Sequence, residues 1–71
     1  MSERLTTTMK MHRARLDLTQ AELAARAGVT RKSINAVETG NMVPSTVLAL
    51  KLARVLGVTV EDLFALETAP D

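Results

Sequence analysis

Apolar residues recur along much of this chain at intervals of three and four, the spacing of a helix that packs on one side. Residues 6–16 contain no Gly or Pro, and Leu5, Met9, His12 and Leu16 follow this spacing. No segment alternates between apolar and polar residues with a period of two over a useful length. The pattern predicts an all-α domain, with five helices around one core and no sheet.

The second predicted helix has a clear start and a clear stop. Thr19 and Glu22 have the T-x-x-E spacing of a capping box, which opens a helix over residues 20–27. Gly28 ends this helix, because glycine adopts the left-handed conformation of a helix C-terminus at little cost. The residues expected on its inner face are Leu23, Ala24 and Ala27.

Three further helices follow, each opened by a residue with a side-chain hydroxyl. They are residues 31–39 between Thr30 and Gly40, residues 46–56 between Ser45 and Gly57, and a short helix after Thr59. Asp62 is a weaker capping-box partner for Thr59. The residues expected to face inward are Ile34, Val37, Leu48, Leu52, Val55, Leu56, Leu63 and Phe64. The tail over residues 68–71 is expected to fray.

The second and third helices together predict a helix-turn-helix over roughly residues 20–39. Two helices cross closely only where the residue at the crossing is small, as Ala24 is, and Gly28 supplies the positive φ angle that the turn needs. Ile34 and Val37 hold the third helix against the core and leave its other side free. In a helix-turn-helix, the second helix of the motif enters the major groove of DNA.

The composition excludes several other classes of protein. A length of 71 residues allows one domain, residues 1–71, and the lack of Cys with a single His excludes disulfides, thiolate catalysis and sulfur- or histidine-rich metal sites. No nucleophile with a base and no glycine-rich phosphate loop is visible, so we expect neither an enzyme nor a cofactor. No stretch reaches the roughly 20 apolar residues of a membrane span, and no signal peptide is visible. We therefore expect a cytoplasmic protein.

The charges divide unevenly along the chain. Residues 1–35 carry seven basic and three acidic side chains, a balance of +4, whereas residues 36–71 carry two basic and five acidic ones, a balance of −3. A basic first half is typical of a surface that binds a polyanion, although a solvated basic surface without a partner has the same composition. Arg31 and Lys32 favour the surface that binds a polyanion, because adjacent cations at a helix N-terminus are disfavoured by the helix dipole unless an anion binds there.

The chain resembles the lambda-repressor and Cro-like helix-turn-helix regulators, often called the Xre type, over roughly residues 8–66. The resemblance is carried by LTQAELAARAGVTRKSINAVETG and then by VPSTVLALKLARVLGVTVEDLF. The family fold has five helices, as the pattern of caps and apolar residues predicts here. His12 departs from the family, which has an apolar Leu at this position, and Leu16 stands where the family often has a basic residue.

The resemblance also implies which residues contact DNA. They are Thr19, Gln20, Thr30, Arg31, Lys32, Ser33, Asn35, Ala36, Thr39, Asn41 and Met42. Thr19 and Thr30 act primarily as helix caps, so a contact with DNA is a second role for them. Gln20, considered by itself, is also compatible with an ordinary surface residue. Arg13 and Glu38 match an ion pair that joins the first and third helices in the family.

The function implied is a sequence-specific, DNA-binding transcriptional regulator, with double-stranded DNA as its partner and no small-molecule ligand in view. We expect a homodimeric repressor that reads an inverted-repeat operator through the helix starting near Arg31. An antitoxin-type interaction protein that binds DNA for autoregulation is the alternative. Apolar residues beyond the inner stripes predict the dimer interface: Val47, Leu50, Val58, Val60, Leu63, Phe64 and Leu66. These residues could instead complete a small core.

Overall fold

The computed structural model describes residues 2–69, which form five helices and two strands. In chain order the elements are β1 (Ser2–Thr7), α1 (Met9–Arg15), α2 (Gln20–Ala27), α3 (Arg31–Glu38), α4 (Thr46–Leu56), α5 (Val60–Leu63) and β2 (Phe64–Ala69). The five predicted helices are present, and α2 and α4 have the predicted bounds. Among the described residues, no helix is long and apolar enough to cross a membrane.

The prediction of an all-α fold without a sheet is wrong. The two ends of the described chain, β1 and β2, form an antiparallel two-stranded sheet in which Ser2 pairs with Ala69 and Thr7 with Phe64. Burial along β1 does not alternate, because its first three residues are exposed and its last three are half-buried. The sequence therefore shows no period of two, although each strand lies against the other over its full length.

The strands also change the predicted ends of the chain. Leu5, Thr6 and Thr7 lie in β1 and not in the first helical pattern, so α1 begins at Met9. Residues 68 and 69 of the tail expected to fray belong to β2, whereas residues 70 and 71 of this tail lie outside the described residues. Pairing with the other strand satisfies backbone groups that a free tail would leave to water.

The core lies where the helices meet, and the prediction of its residues is largely confirmed. Its members are Met9, Leu18, Leu23, Ala24, Ala27, Ile34, Val37, Leu52, Ala53, Leu56 and Leu63. Leu48, Val55 and Phe64, which were expected to face inward, are only partly buried and pack against this core. The side chains of one core thus come from all five helices, which is how a small domain buries enough apolar surface.

All four predicted N-caps are confirmed by their hydrogen bonds. The hydroxyls of Thr19, Thr30, Ser45 and Thr59 accept from the backbone N–H three residues later, at 3.0–3.1 Å. Both capping boxes are complete, since Glu22 and Asp62 accept from the backbone N–H of their cap residues at 3.1 and 2.9 Å. These backbone hydrogen bonds, from Thr19 and Thr59, lower the pKa of the Glu22 and Asp62 carboxyls.

Hydrogen bonds from both ends of α1 attach this helix to the C-terminal half of the domain. At its start, Thr8 donates from its backbone N–H to the Leu63 carbonyl at 3.0 Å and from its hydroxyl to the Asp62 carbonyl at 2.7 Å. At its end, Arg15 Nη2 donates to the Leu56 carbonyl in the last turn of α4 at 3.2 Å. These contacts fix α1, and with it the position of Arg13.

Candidate nucleic-acid interface

The helices α2 and α3 form the predicted helix-turn-helix. Gly28 has a φ of 72°, and the next residue, Val29, donates its N–H to the Ala24 carbonyl at 3.0 Å, which closes the end of α2. One side of α3 is held inside the core by Ile34 and Val37, which are 0% and 3% exposed. The opposite side of α3 is therefore the side that can meet a partner.

The exposed side of α3 carries polar and basic side chains. Arg31, Lys32, Asn35 and Thr39 are all exposed, and their spacing places them on one side of the helix and of its C-cap. The first turn of α3 contains no acidic residue that could neutralise the two cations. Because this is the positive end of the helix dipole, the two cations favour an anion beside them.

Two other positions predicted on α3 are less accessible. Ser33 and Ala36 are half-buried. The Ser33 hydroxyl lies 3.0 Å from the Thr30 hydroxyl, which already accepts from the Ser33 N–H at 3.1 Å. Thr30 is exposed, but its hydroxyl already caps α3, so Thr30 and Ser33 first shape the start of this helix.

A chain of hydrogen bonds connects α1 to the exposed side of α3. The predicted ion pair is present: Arg13 Nε and Nη2 donate to Glu38 Oε2 at 2.8 Å and to Glu38 Oε1 at 3.2 Å. The two side chains are 15% and 5% exposed. Gln20 Nε2, at the start of α2, then donates to Glu38 Oε1 and to Asn35 Oδ1, both at 3.1 Å. Sequence reasoning missed both contacts of Gln20.

The turn after α3 is organised by its own hydrogen bonds. The backbone N–H groups of Asn41 and Met42 both donate to the Ala36 carbonyl, at 2.8 and 3.1 Å. The Thr39 hydroxyl donates to the Asn35 carbonyl at 2.9 Å and accepts from Asn41 Nδ2 at 3.1 Å. The Asn41 side chain is exposed, whereas Met42 packs against the core. In this turn, Thr39 and Asn41 are the predicted DNA contacts that the structure leaves accessible.

The predicted dimer residues do not form one exposed set. Val47, Leu50 and Leu66 are exposed by 62%, 57% and 69%. Leu63 is fully buried and belongs to the core, so it has no side-chain surface for a second copy and its assignment to an interface is wrong. The partly buried residues of the set are Val58, Val60 and Phe64, which pack against the core.

No group of side chains in the described part of the chain suggests a metal site. Residues 2–69 contain no cluster of three His, Asp or Glu side chains that could hold an ion. His12 is half-buried on α1, and its Nδ1 atom is buried without a hydrogen-bond partner among these residues.

The family model for the helix-turn-helix matches residues 9–63, which includes all five helices. The chain belongs to the Xre-like helix-turn-helix family. Members of this family bind DNA and regulate transcription, and this helix-turn-helix regulator has the buried and exposed sides of α3 that such binding requires.

Relatives in archaea and bacteria extend the comparison along most of the chain. The regulator is 50% identical over 62 residues to an uncharacterised HTH-type transcriptional regulator of Methanothermobacter thermautotrophicus, covering 86% of this chain and 90% of the relative. It is 42% identical over 59 residues to one of Bacillus subtilis, covering 83% and 89%. These relatives are described as regulators and not as enzymes, in agreement with the sequence-based expectation.

Two solved structures have similar folds. A protein of Bacteroides fragilis, described as DNA-binding, superposes with a TM-score of 0.77 over 86% of this chain and 98% of that one, at 23% identity. This likeness shows the fold alone. A Neisseria protein described as a hypothetical transcription factor gives a TM-score of 0.72 at 30% identity, over 76% of this chain and 62% of that one.

Proposed function

We propose that this helix-turn-helix regulator is a cytoplasmic, dimeric repressor that reads an inverted-repeat operator through the exposed side of α3. The observation that carries the proposal is the pair of cations, Arg31 and Lys32, at the exposed start of a helix whose other side is buried. A bound dimer can repress simply by occupying promoter DNA, which requires no surface beyond the DNA interface itself. We propose residues 1–71 as the single domain that does this.

Within this proposal, the exposed residues divide into those that select bases and those that set position. Arg31 donates to guanine O6 and N7, the commonest specific contact in a major groove, and Lys32 donates to a base or a phosphate. Thr39 and Asn41 contact phosphates, which hold the domain in register but carry no sequence information. The remaining proposed contacts are Thr19, Gln20, Thr30, Ser33, Asn35, Ala36 and Met42.

Selection of operators from a randomised DNA library tests the proposed readout. The wild type should enrich a defined sequence, and Arg31→Ala should lose preference at one position per half-site, by about 1–3 kcal/mol. Arg54→Ala is the matched control, because it removes the same charge from an exposed position on α4 and should leave the selected sequence unchanged. An identical base profile for Arg31→Ala and the wild type would refute the proposed docking.

The proposed dimer follows from the small amount of sequence that one α3 can read. A second copy related by a two-fold axis doubles the contacts and places half-site centres about 34 Å apart, one turn of DNA. The exposed Val47, Leu50 and Leu66 support a contact between copies, since large apolar side chains in water favour burial. Sedimentation at micromolar protein, with and without the selected operator, should show two protomers per operator. One protomer on a site without inverted symmetry would refute the dimer.

A further inference from the structure

The side chain of Asn35 is held in one orientation by groups that lie behind it. It lies on the exposed side of α3, and Gln20 Nε2 is 3.1 Å from its Oδ1 atom. The same nitrogen is 3.1 Å from Glu38 Oε1, and Glu38 is paired with Arg13. These four side chains form a continuous path from α1 to the surface proposed to meet DNA.

The direction of each hydrogen bond along this path follows from the one before it. Glu38 receives two hydrogen bonds from the Arg13 guanidinium, which only donates, so both oxygens of Glu38 act as acceptors. Gln20 must therefore turn its amino group, and not its carbonyl, toward Glu38. Because that amino group also reaches Asn35, and an amino group only donates, Asn35 must turn its carbonyl inward.

An Asn35 carbonyl that points inward leaves the Asn35 amino group on the outer side. The opposite orientation of the carboxamide would place two amino groups against each other, with no acceptor between them. An unrestrained asparagine can turn either its carbonyl or its amino group toward a base, whereas Asn35 presents its amino group, which is a donor. The fixed orientation also removes part of the entropy that Asn35 would lose on binding.

We propose that Gln20 is a positioning residue that holds Asn35 with its amino group toward the DNA, so that Asn35 selects bases that accept hydrogen bonds. In the major groove, guanine, adenine and thymine each present an acceptor, whereas cytosine presents only the donor N4 amino group. Cytosine is therefore the base that this arrangement rejects. The inference rests on the proposed function, in which the exposed side of α3 enters the major groove.

A role for Gln20 as a plain phosphate contact gives a different result. Loss of a phosphate contact weakens all DNA sequences alike, because phosphates are the same at every position. Loss of a positioning residue changes the preference at one position, because only the orientation of Asn35 changes. The two roles are therefore separated by the base profile and not by the overall affinity.

The experiment is operator selection with the wild type, Asn35→Ala, Gln20→Ala and the double variant. The position that loses its preference in Asn35→Ala identifies the base that Asn35 contacts. At that position the wild type should disfavour cytosine by about tenfold, and Gln20→Ala should reduce this discrimination to about twofold. The double variant should match Asn35→Ala there. Alanine is a good helix former, and the capping box of Thr19 and Glu22 does not involve the Gln20 side chain, so Gln20→Ala should fold.

A measurement without DNA tests the orientation directly. A scalar coupling across the hydrogen bond from Gln20 Nε2 to Asn35 Cγ should be present in the free wild-type protein. Its absence in a protein that still selects an operator overturns the inference alone. Three other results also overturn the inference alone. The first is selection of cytosine by the wild type at the position that Asn35 contacts. The others are a Gln20→Ala profile that is uniformly weaker but otherwise unchanged, and an Asn35→Ala profile with no altered position. A wild type that selects no sequence overturns the proposed function, and with it this inference.

Discussion

Removal of the Glu38 side chain should cost this domain a large part of its stability. In Glu38→Ala, Arg13 loses both of its hydrogen bonds to the Glu38 carboxylate and keeps only the one to the Leu18 carbonyl, to which Nη1 donates at 2.9 Å. The Arg13 side chain is only 15% exposed in the folded protein, so its charge is left poorly solvated when its partner is removed. Breaking a fully buried ion pair by removing one partner costs about 3–5 kcal/mol. The partial exposure and the remaining hydrogen bond place the expected loss near the lower end, at about 3 kcal/mol.

A loss of this size is easily measured in a protein of 71 residues. Typical stabilities per residue give a free energy of unfolding of about 4–10 kcal/mol for this length. We therefore expect the melting temperature of Glu38→Ala to fall by about 12–24 °C. Urea unfolding should be followed by circular dichroism, because the chain has no Trp or Tyr for fluorescence.

The control for this prediction is Glu3→Ala, which removes the same charge from an exposed position on β1. Its stability should lie within about 0.5 kcal/mol of the wild type. Arg13→Ala and the double variant complete a cycle that isolates the coupling between the two side chains. If Glu38→Ala unfolded at the same urea concentration as the wild type, the burial of this pair would have no energetic consequence and the reasoning would fail.

Two further predictions concern the helix ends. The pKa values of Glu22 and Asp62 are lowered from their ordinary values of 4.5 and 3.8. Their capping boxes therefore stabilise the fold fully when the pH is above these ordinary values. This stability is lost as the pH falls through the lower pKa values of the folded state. Urea unfolding at pH 7 and at pH 3 should therefore differ less in Glu22→Gln than in the wild type, and an equal difference would contradict the assignment. Gly28→Ala should lose about 1 kcal/mol through backbone strain alone, since φ is 72° and no atom lies within 4 Å of the added Cβ. Gly28→Asn should lose less, and equal losses measured by urea unfolding would argue against strain as the cause.

The helices could be predicted from the sequence because their boundaries depend on local signals. Thr19 and Ser45 bond to backbone groups three residues away, and Gly28 and Gly57 each supply a positive φ within their own residue. Such signals act over one helical turn, so they can be recognised in a single sequence without knowledge of the rest of the fold. The predicted bounds of α2 and α4 are accordingly those observed.

The sheet could not be predicted in the same way, because its partners lie at opposite ends of the chain. Leu5 pairs with Leu66, and Arg4 with Glu67. No turn residue between them marks the pairing, as it would in a hairpin. Leu5 also fits the helical spacing of Met9, so the local pattern favoured the wrong element.

The candidate interface was predictable in part, for a related reason. Which residues of α3 face outward follows from the helical period once Ile34 and Val37 are assigned to the core. The contacts of Gln20 with Glu38 and Asn35 depend instead on how α2 and α3 cross, which spacing alone does not specify. Arg13 and Glu38 were paired only through resemblance to a family.

The charge count along the sequence overstates the positive charge that is available to DNA. Of the seven basic residues in the first half, Arg13 is paired with Glu38 and Arg15 donates to the Leu56 carbonyl, so both serve the fold. On α3 itself, Arg31 and Lys32 remain exposed. Each phosphate neutralised contributes about one unit to the salt dependence of binding, and with Arg31 assigned to a guanine only Lys32 remains on α3 for a phosphate, so the electrostatic contribution of one α3 is small. Two copies on one operator would double that contribution, which is a physical argument, independent of any resemblance, in support of the proposed dimer.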